Sequence, residues 1–444
     1  MKIDKYKYIN LISFKSLLNW SASSALGNKS NYKEELQTIA IGQLMDRNRH
    51  TVAISDKERY RRVTIKLYGR GVILRDEVSG TDIGTKRQFR ISPGQFIMSK
   101  IDARNGAFGI VPDELKDAIV TQDFLSYNLN TKLVLPDYFL LFTSTQYFQD
   151  LCQRASSGTT GRQRIDETTF LNFSIPLPSL KRQKQLIRAY QSKIKLALKE
   201  QNAGEKLEEK MSLYIKNQLG LRTVTKQKRK GLQVVRFKDI KQWDTDYLLG
   251  KRLEIKSKFP LATYAELFIS LRNGLSARDY SEKGVRFLKV TDIKNNAISN
   301  TDIKFINKFD ENQLIDKNTL LLTRKGTVGQ SFFVKEDKKY VVSSEVFIVK
   351  VDNSKVNGDF LAEINNVDFI QQQYKERYTG TIMPSMSQSK LQEIRIPMPP
   401  LRIQNVIARY VTLTKNKISI HINKANKLRE SALKEFENAL FKIK

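Results

Sequence analysis

The residues best equipped for chemistry are Arg162, Gln163 and Arg164, near the end of Ala-Ser-Ser-Gly-Thr-Thr-Gly-Arg-Gln-Arg-Ile at 155–165. An arginine fork matches O6 and N7 of guanine, and a glutamine amide matches N6 and N7 of adenine. The small residues ahead of them let a backbone approach closely, and Ser156, Ser157, Thr159 and Thr160 supply hydroxyls for phosphate. Lys66, Arg70, Arg75, Lys86, Arg87, Arg90, Lys100 and Arg104 precede this stretch, interleaved with glycine, threonine and aromatic residues, at the density expected of phosphate contacts. In the second half Arg272, Arg278, Arg324, Lys325, Lys375 and Arg377 flank Thr379, Thr381, Ser385 and Ser387 in the same way. This is chemistry for binding. A solvated basic face accounts for part of these cations, and pairing of Arg162 and Arg164 with Asp166 or Glu167 is the alternative to base reading.

Chemistry for catalysis is missing. The two histidines, His50 and His421, lie far apart in sequence and read as surface or core positions. No G-x-x-x-x-G-K-[ST] loop is present to cradle nucleotide phosphates. Two histidines and the single Cys152 cannot supply the usual four ligands of zinc. Pro112-Asp113 and Pro136-Asp137 echo a nuclease motif without the Glu-x-Lys that should follow, and the Asn/Asp-Pro-Pro-aromatic hallmark of a methyltransferase is absent. Cys152 follows an apolar stretch and reads as a small buried hydrophobe.

Charge narrows the partner. Lysine and arginine number 77 against 46 aspartates and glutamates, a formal net charge of +31, which is best tolerated when the working partner is a polyanion. With one cysteine no disulfide framework is possible. The N-terminus lacks the apolar core of a signal peptide, and no stretch approaches the ~20 apolar residues of a membrane span. A cytoplasmic protein, with no membrane partner, is expected.

The elements that hold these residues are written twice. Phe14-Lys15 with Trp20 returns as Phe237-Lys238 with Trp243, and Ile175-Pro176-Leu177-Pro178 closed by Gln183 returns as Ile396-Pro397-Met398-Pro399 closed by Gln404. Gly106-x-x-Gly109 matches Gly326-x-x-Gly329, Thr121-x-Asp123 matches Ser343-x-Glu345, and Gly158-Thr159 matches Gly380-Thr381. Offsets stay between 220 and 224 in a 444-residue chain, so the repeat is of whole domains. Runs at 62–68, 95–99, 118–121, 285–290, 319–323 and 347–351 alternate or cluster as strands, and 136–154 reads as an amphipathic helix. Residues 181–219 and 401–443 each carry one apolar stripe along a long helix, with Gly204 a candidate kink or break in the first. Each stripe must be covered, most simply by its duplicate in an antiparallel pair, or else by its own domain. The tryptophans read as core anchors before stacking platforms, the Gly-x-x-Gly pairs as turns, and the Ile-Pro-x-Pro runs as hinges that start the helices.

These residues resemble the DNA-specificity (S) subunit of Type I restriction-modification systems. The likeness is carried by the duplicated tryptophan, the Ser-Gly-Thr loop, the Ile-Pro-Leu-Pro-x-Leu-x-x-Gln hinge and the long helices, and it covers essentially the whole chain. It implies a mixed α+β protein: two α/β target-recognition domains joined by two long helices that form an antiparallel coiled coil, with an internal pseudo-two-fold repeat. The expected parts are a first recognition domain at 1–178, a central spacer helix at 179–221, a basic linker at 222–231, a second recognition domain at 232–398 and a C-terminal spacer helix at 399–444. It further implies that each recognition domain reads half of a bipartite target in double-stranded DNA, with the helices as the ruler between them. The chain itself would be non-catalytic and bind no cofactor. Two modification (methyltransferase) subunits would bring S-adenosylmethionine and methylate adenine, and two restriction subunits would use ATP and Mg to translocate and cut. A two-lobed nuclease or methyltransferase and a basic RNA-binding protein are the alternatives. The missing catalytic motifs count against the first, and helices suited to holding two sites at a set distance count against the second.

Overall fold

The computed structural model of the chain describes residues 32–157, 164–225, 234, 236–237, 253–276, 279–380 and 383–442. Trp20 and Trp243 lie outside the described residues. The chain divides into two compact units, one of Met1–Glu200 with Lys424–Lys444 and one of Gln201–Asn423. Each unit therefore takes in a part of both long helices, Leu180–Leu219 and Leu401–Leu440.

In the first unit, Met45–Arg47, Phe124–Leu129, Phe96–Ser99 and Phe108–Ile110 form an antiparallel four-stranded sheet in that order. Phe96–Ser99 is buried throughout, as expected of a continuous apolar run in a central strand. Its Phe96 meets Phe139 edge-on at 4.9 Å, and Phe108 meets Phe148 in the same way at 5.1 Å. A second sheet orders Thr51–Ala53, Arg87–Arg90, Ile119–Val120, Arg59–Ile65 and Val72–Ser79, with one parallel pairing between Arg62 and Ile119. Asn48 ties strands of the two sheets together, donating to the Arg90 carbonyl at 2.8 Å and to Ser126 Oγ at 3.0 Å.

The 62–68 run leaves the sheet after Ile65, earlier than its alternation predicts. The chain turns through left-handed backbone at Tyr68 (φ 61°), Gly69 (φ 65°) and Gly71 (φ 84°). For tyrosine that conformation costs about 1–2 kcal/mol. Nor is 136–154 one helix. It is two, Pro136–Thr143 and Gln146–Arg154, because the Thr145 hydroxyl accepts from Phe148 N and caps the second.

The second unit repeats the plan. Phe268–Asn273, Val346–Val351, Thr319–Thr323 and Ser331–Val334 reproduce the four-stranded order, and Lys304–Ile306, Val285–Leu288 and Tyr340–Val342 form a three-stranded sheet with one parallel pair. Short antiparallel pairs close each recognition fold on its hinge: Thr38–Ala40 with Ser174–Pro176, and Leu261–Thr263 with Arg395–Pro397. The linker expected at 222–231 begins instead as a strand, Arg222–Thr225, paired with Leu253–Lys256. The β-branched Thr223, Val224 and Thr225 favour that outcome over a solvated linker.

Helix pairing and domain packing are both realised. In the first unit Leu186, Ile187, Phe436 and Leu440 enter the core, and Lys193 and Glu200 of one helix pair with Glu435 and Lys424 of the other. In the second unit Ile215, Leu219, Ile407 and Val411 enter the core, and Tyr214 stacks on Tyr410 at 3.9 Å. The helices run antiparallel in both. Gly204 neither kinks nor ends the first helix, which is continuous from Leu180 to Leu219. A Cβ there would lie 3.7 Å from Ile422, so its stretch is covered by the second helix, and packing outweighs glycine's poor propensity.

Candidate nucleic-acid interface

Each hinge glutamine fastens a long helix to its recognition fold. Gln183 is fully buried; its amide donates to the carbonyls of Leu133 and Pro178, both at 2.9 Å, and accepts from Leu135 N at 2.9 Å. Gln404 repeats this, donating to Lys355 O at 3.2 Å and Pro399 O at 2.8 Å and accepting from Asn357 N at 2.8 Å. Leu135 and Asn357 are the N-cap residues of equivalent helices, Pro136–Thr143 and Gly358–Asn365.

The loops singled out by sequence are anchored in the same duplicated manner. In the first unit, Ser156–Ser157 pairs with Arg164–Ile165 to make the stem of a hairpin. Ile165 N donates to Lys100 O at 2.9 Å, and Lys100 N donates to Asp123 O at 2.8 Å. In the second, Met386 N donates to Arg324 O and Arg324 N donates to Glu345 O, both at 2.8 Å. A helix follows each stem. Asp166 caps Glu167–Asn172, and its carboxyl is held below the usual range by hydrogen bonds from the Thr169 hydroxyl and amide. Ser387 caps Gln388–Gln392 at the equivalent place.

The side chains at these anchors differ. Arg164 is exposed and pairs with Asp123 at 3.2 Å, not with Asp166 or Glu167. In the second unit the corresponding Glu345 accepts from the Ser343 hydroxyl instead. Lys100 has become Arg324, whose guanidinium bonds Ser344 O at 3.2 Å and lies over the Phe347 ring. Thr379 and Ser385 bridge across the second loop, where Gly380 (φ 93°) is required because a Cβ would lie 2.7 Å from Met383 O. Ser156 Oγ is turned back to Cys152 O at 2.8 Å. Thr159, Thr160, Arg162, Gln163, Arg278 and Thr381 lie outside the described residues, as does the side chain of Ser157.

The remaining cations are dispersed. Arg75, Lys86 and Arg90, on or beside the five-stranded sheet, pair with Asp76, Asp56 and Asp117. Arg87 and Lys66 are exposed and make no ion pair with a described residue, and Arg70 lies 5.9 Å from the Tyr68 ring. Arg104 sits in the turn Ala103–Asn105. Arg272 donates to Asn312 O at 2.8 Å and Arg377 to Gln373 O at 3.1 Å, with Glu376 and Glu393 near it. Lys325 forms a backbone bridge with Ser385, and Lys375 is exposed. Several cations counted toward phosphate binding thus hold the protein together. Asp123 and Glu345, which the cation pattern alone does not single out, anchor the loops through their backbone carbonyls; the signal was their place in the repeat.

The Gly-x-x-Gly pairs are structural. Gly106 (φ 77°) ends a turn, and a Cβ at Gly329 would lie 2.9 Å from the Tyr374 ring. Cys152 is buried, and burial pushes its thiol well above the usual range. His50 is exposed, and His421 lies within the second long helix. Among the described residues no His, Cys, Asp and Glu are grouped to hold a metal ion, and no helix is long and apolar enough to cross a membrane.

The sequence profile of the type I restriction modification DNA specificity domain matches twice, at residues 33–209 and 269–430. The chain belongs to this family. Its function is that of the family: DNA sequence specificity in a type I restriction-modification system. One chain of a solved type I restriction-modification system, described for its complex assembly and conformational transition, aligns with TM-score 0.56 and 12% identity over 92% of this chain and 98% of its own. That likeness speaks for the fold. The S subunit from M. genitalium aligns with TM-score 0.46 at 13% identity, covering 92% of this chain and 96% of that one. The HsdS subunit from Thermoanaerobacter tengcongensis gives 0.40 at 13% identity, covering 92% and 97%. The two profile matches each span a recognition fold and part of a long helix, so this specificity protein carries the family's domain as an internal pair.

Proposed function

We propose that this specificity protein reads a bipartite target in double-stranded DNA, one half-site per recognition fold, and does no chemistry itself. One observation carries the reading: two loops of different sequence are anchored by the same backbone bonds at equivalent places, Lys100 with Asp123 and Arg324 with Glu345. Equal anchoring with unequal side chains is what two reading heads for two different half-sites require, because base contacts specify locally. The excess of 77 cations over 46 anions supplies the sequence-independent attraction. In this reading two modification subunits carry S-adenosylmethionine and methylate adenine, two restriction subunits carry the ATP- and Mg-dependent work, and the assembly acts in the cytoplasm. The separation of the half-sites follows the helix length: a 32-residue stretch at ~1.5 Å per residue spans ~48 Å, which sets the centres of the two half-sites about 12–14 base pairs apart.

Methylome sequencing tests it. Replacing residues 1–178 by another recognition domain should change one half of the methylated motif and leave the other half and the gap intact. A change in both halves would overturn the assignment of one reading head to each fold.

A further inference from the structure

The hairpin tip between Arg59–Ile65 and Val72–Ser79 presents an aromatic ring in a way that core packing does not explain. Tyr68 is 72% exposed, and Leu67 beside it is 38% exposed. Tyr68 also has φ 61°, a left-handed conformation suited to glycine, which here persists in a large aromatic residue. Backbone strain of this kind survives only where the surroundings over-determine it.

The surroundings do so here. Tyr68 N donates to Asn105 O at 2.9 Å and Gly69 N to Gly106 O at 2.8 Å, while Lys66 N donates to Gly71 O at 2.9 Å across the tip. The docking is tight enough that a Cβ on Gly106 would lie 2.9 Å from both Cα and N of Tyr68. The tip is thus a rigid mount, with its ring left outside.

Charge and continuity identify what meets it. Lys66 and Arg70 flank the ring, Arg70 with its guanidinium 5.9 Å from the ring centre, and Arg104 lies in the supporting turn beside a single acid, Asp102. That same turn begins at Lys100, whose carbonyl anchors the hairpin of Arg164. In the second unit the topologically equivalent connection, between Val285–Leu288 and Lys304–Ile306, places Asn295 (φ 51°) and Asn296 (φ 57°) in left-handed backbone in place of an aromatic residue.

We propose that Tyr68 stacks on a nucleobase of the target duplex, at a base step opened in or beside the half-site read by the first unit. The proposal rests on the DNA-reading function above and adds to it a deformation of the DNA. Aromatic side chains stack on any base through its π-face, and apolar wedges between base steps unstack and kink a duplex.

The test uses the full chain co-purified with its methyltransferase subunits. It is bound to duplexes of the methylated motif that each carry one 2-aminopurine, placed in turn across and beside the first half-site. The wild-type complex should raise 2-aminopurine fluorescence at one step. Tyr68→Gly, which suits φ 61°, should abolish that rise without lowering the melting midpoint. It should weaken binding about 5- to 150-fold, the equivalent of one base–aromatic stack of ~1–3 kcal/mol at ~1.4 kcal/mol per tenfold. Tyr68→Phe should retain both the rise and the affinity. The proposal is overturned if no position responds in the wild type, or if Tyr68→Gly keeps the rise and binds within twofold. It is also overturned if Tyr68→Gly instead sheds the methyltransferase subunits, which would make the ring a protein contact. Failure of the underlying function looks different: the wild-type complex would not discriminate the motif from an unrelated duplex.

Discussion

Truncating Gln183 to alanine should loosen the first unit and spare the second. The lost amide leaves Leu135 N–H without an acceptor and the carbonyls of Leu133 and Pro178 without a donor, in a site that is fully buried. A buried donor without a partner costs about 1–3 kcal/mol, and each lost neutral hydrogen bond is worth about 0.5–1.5 kcal/mol net, so a total near 3 kcal/mol is expected. For a unit of this size that lowers the thermal midpoint by about 6–12 °C. Gln404→Ala should do the same to the second unit, because the three bonds recur on Asn357, Lys355 and Pro399. Hydrogen exchange on the full chain separates the two: Leu135 should lose protection in one variant and Asn357 in the other. Gln183→Glu sharpens the test. A carboxylate can accept from Leu135 but faces two carbonyl oxygens, so its pKa should rise in the folded state. That variant should approach wild type below about pH 4, where the acid is protonated, and weaken as pH rises through the raised value. Unchanged exchange at Leu135 in Gln183→Ala, with a midpoint shift below about 2 °C, would refute the clamp.

Two further tests address reading and capping. Arg164→Ala should cost about 1–3 kcal/mol of discrimination against a wrong base if its fork reaches a base edge, whereas Lys66→Ala should weaken binding on every sequence and lower the salt slope by about one. Binding to cognate and single-mismatch duplexes across a salt series decides between them, and an equal, slight effect on all duplexes would leave Arg164 with only its ion pair to Asp123. For the caps, Asp166→Ala and Ser387→Ala should each lower the midpoint by about 2–4 °C at pH 7, near 1 kcal/mol. Because Thr169 holds the Asp166 carboxyl below its usual range, its contribution is present above the unfolded pKa and lost as pH falls through the lower folded value. The Ser387 contribution should not titrate, and melting curves between about pH 7 and pH 3 in which both differences behave alike would contradict this.

The repeat and the long helices were legible because they are written in periodicity and in paired motifs. The apolar stripes of 181–219 and 401–443 agree with Leu180–Leu219 and Leu401–Leu440 to within a few residues. What the sequence hid was decided by contacts distant along the chain. Thr145 splits a predicted helix with one side-chain hydrogen bond, in a stretch without glycine or proline to announce a break. Gly204 suggested a break that the second helix prevents by packing over it. Composition counts Arg75, Lys86, Arg90 and Arg324 as equivalent to Arg87 and Lys66, yet the first four are engaged by carboxylates or carbonyls of the fold. Tyr68 was legible only as one more aromatic, since its left-handed backbone depends on a turn more than 30 residues away.

The composition of the first unit bears on its synthesis. Its core includes Phe436 and Leu440, and the Lys33 amide donates to the Leu440 carbonyl. A growing chain emerging N-terminus first therefore completes residues 32–200 long before the segment that covers part of their apolar surface exists. The second unit, contiguous from Gln201 to Asn423, can close as soon as it is made. The half that is translated first is thus the half that finishes folding last. Until then its apolar surface around Leu186 and Ile187 stays exposed on the ribosome, a window in which chaperones, proteases or a second chain's own 424–444 segment can reach it.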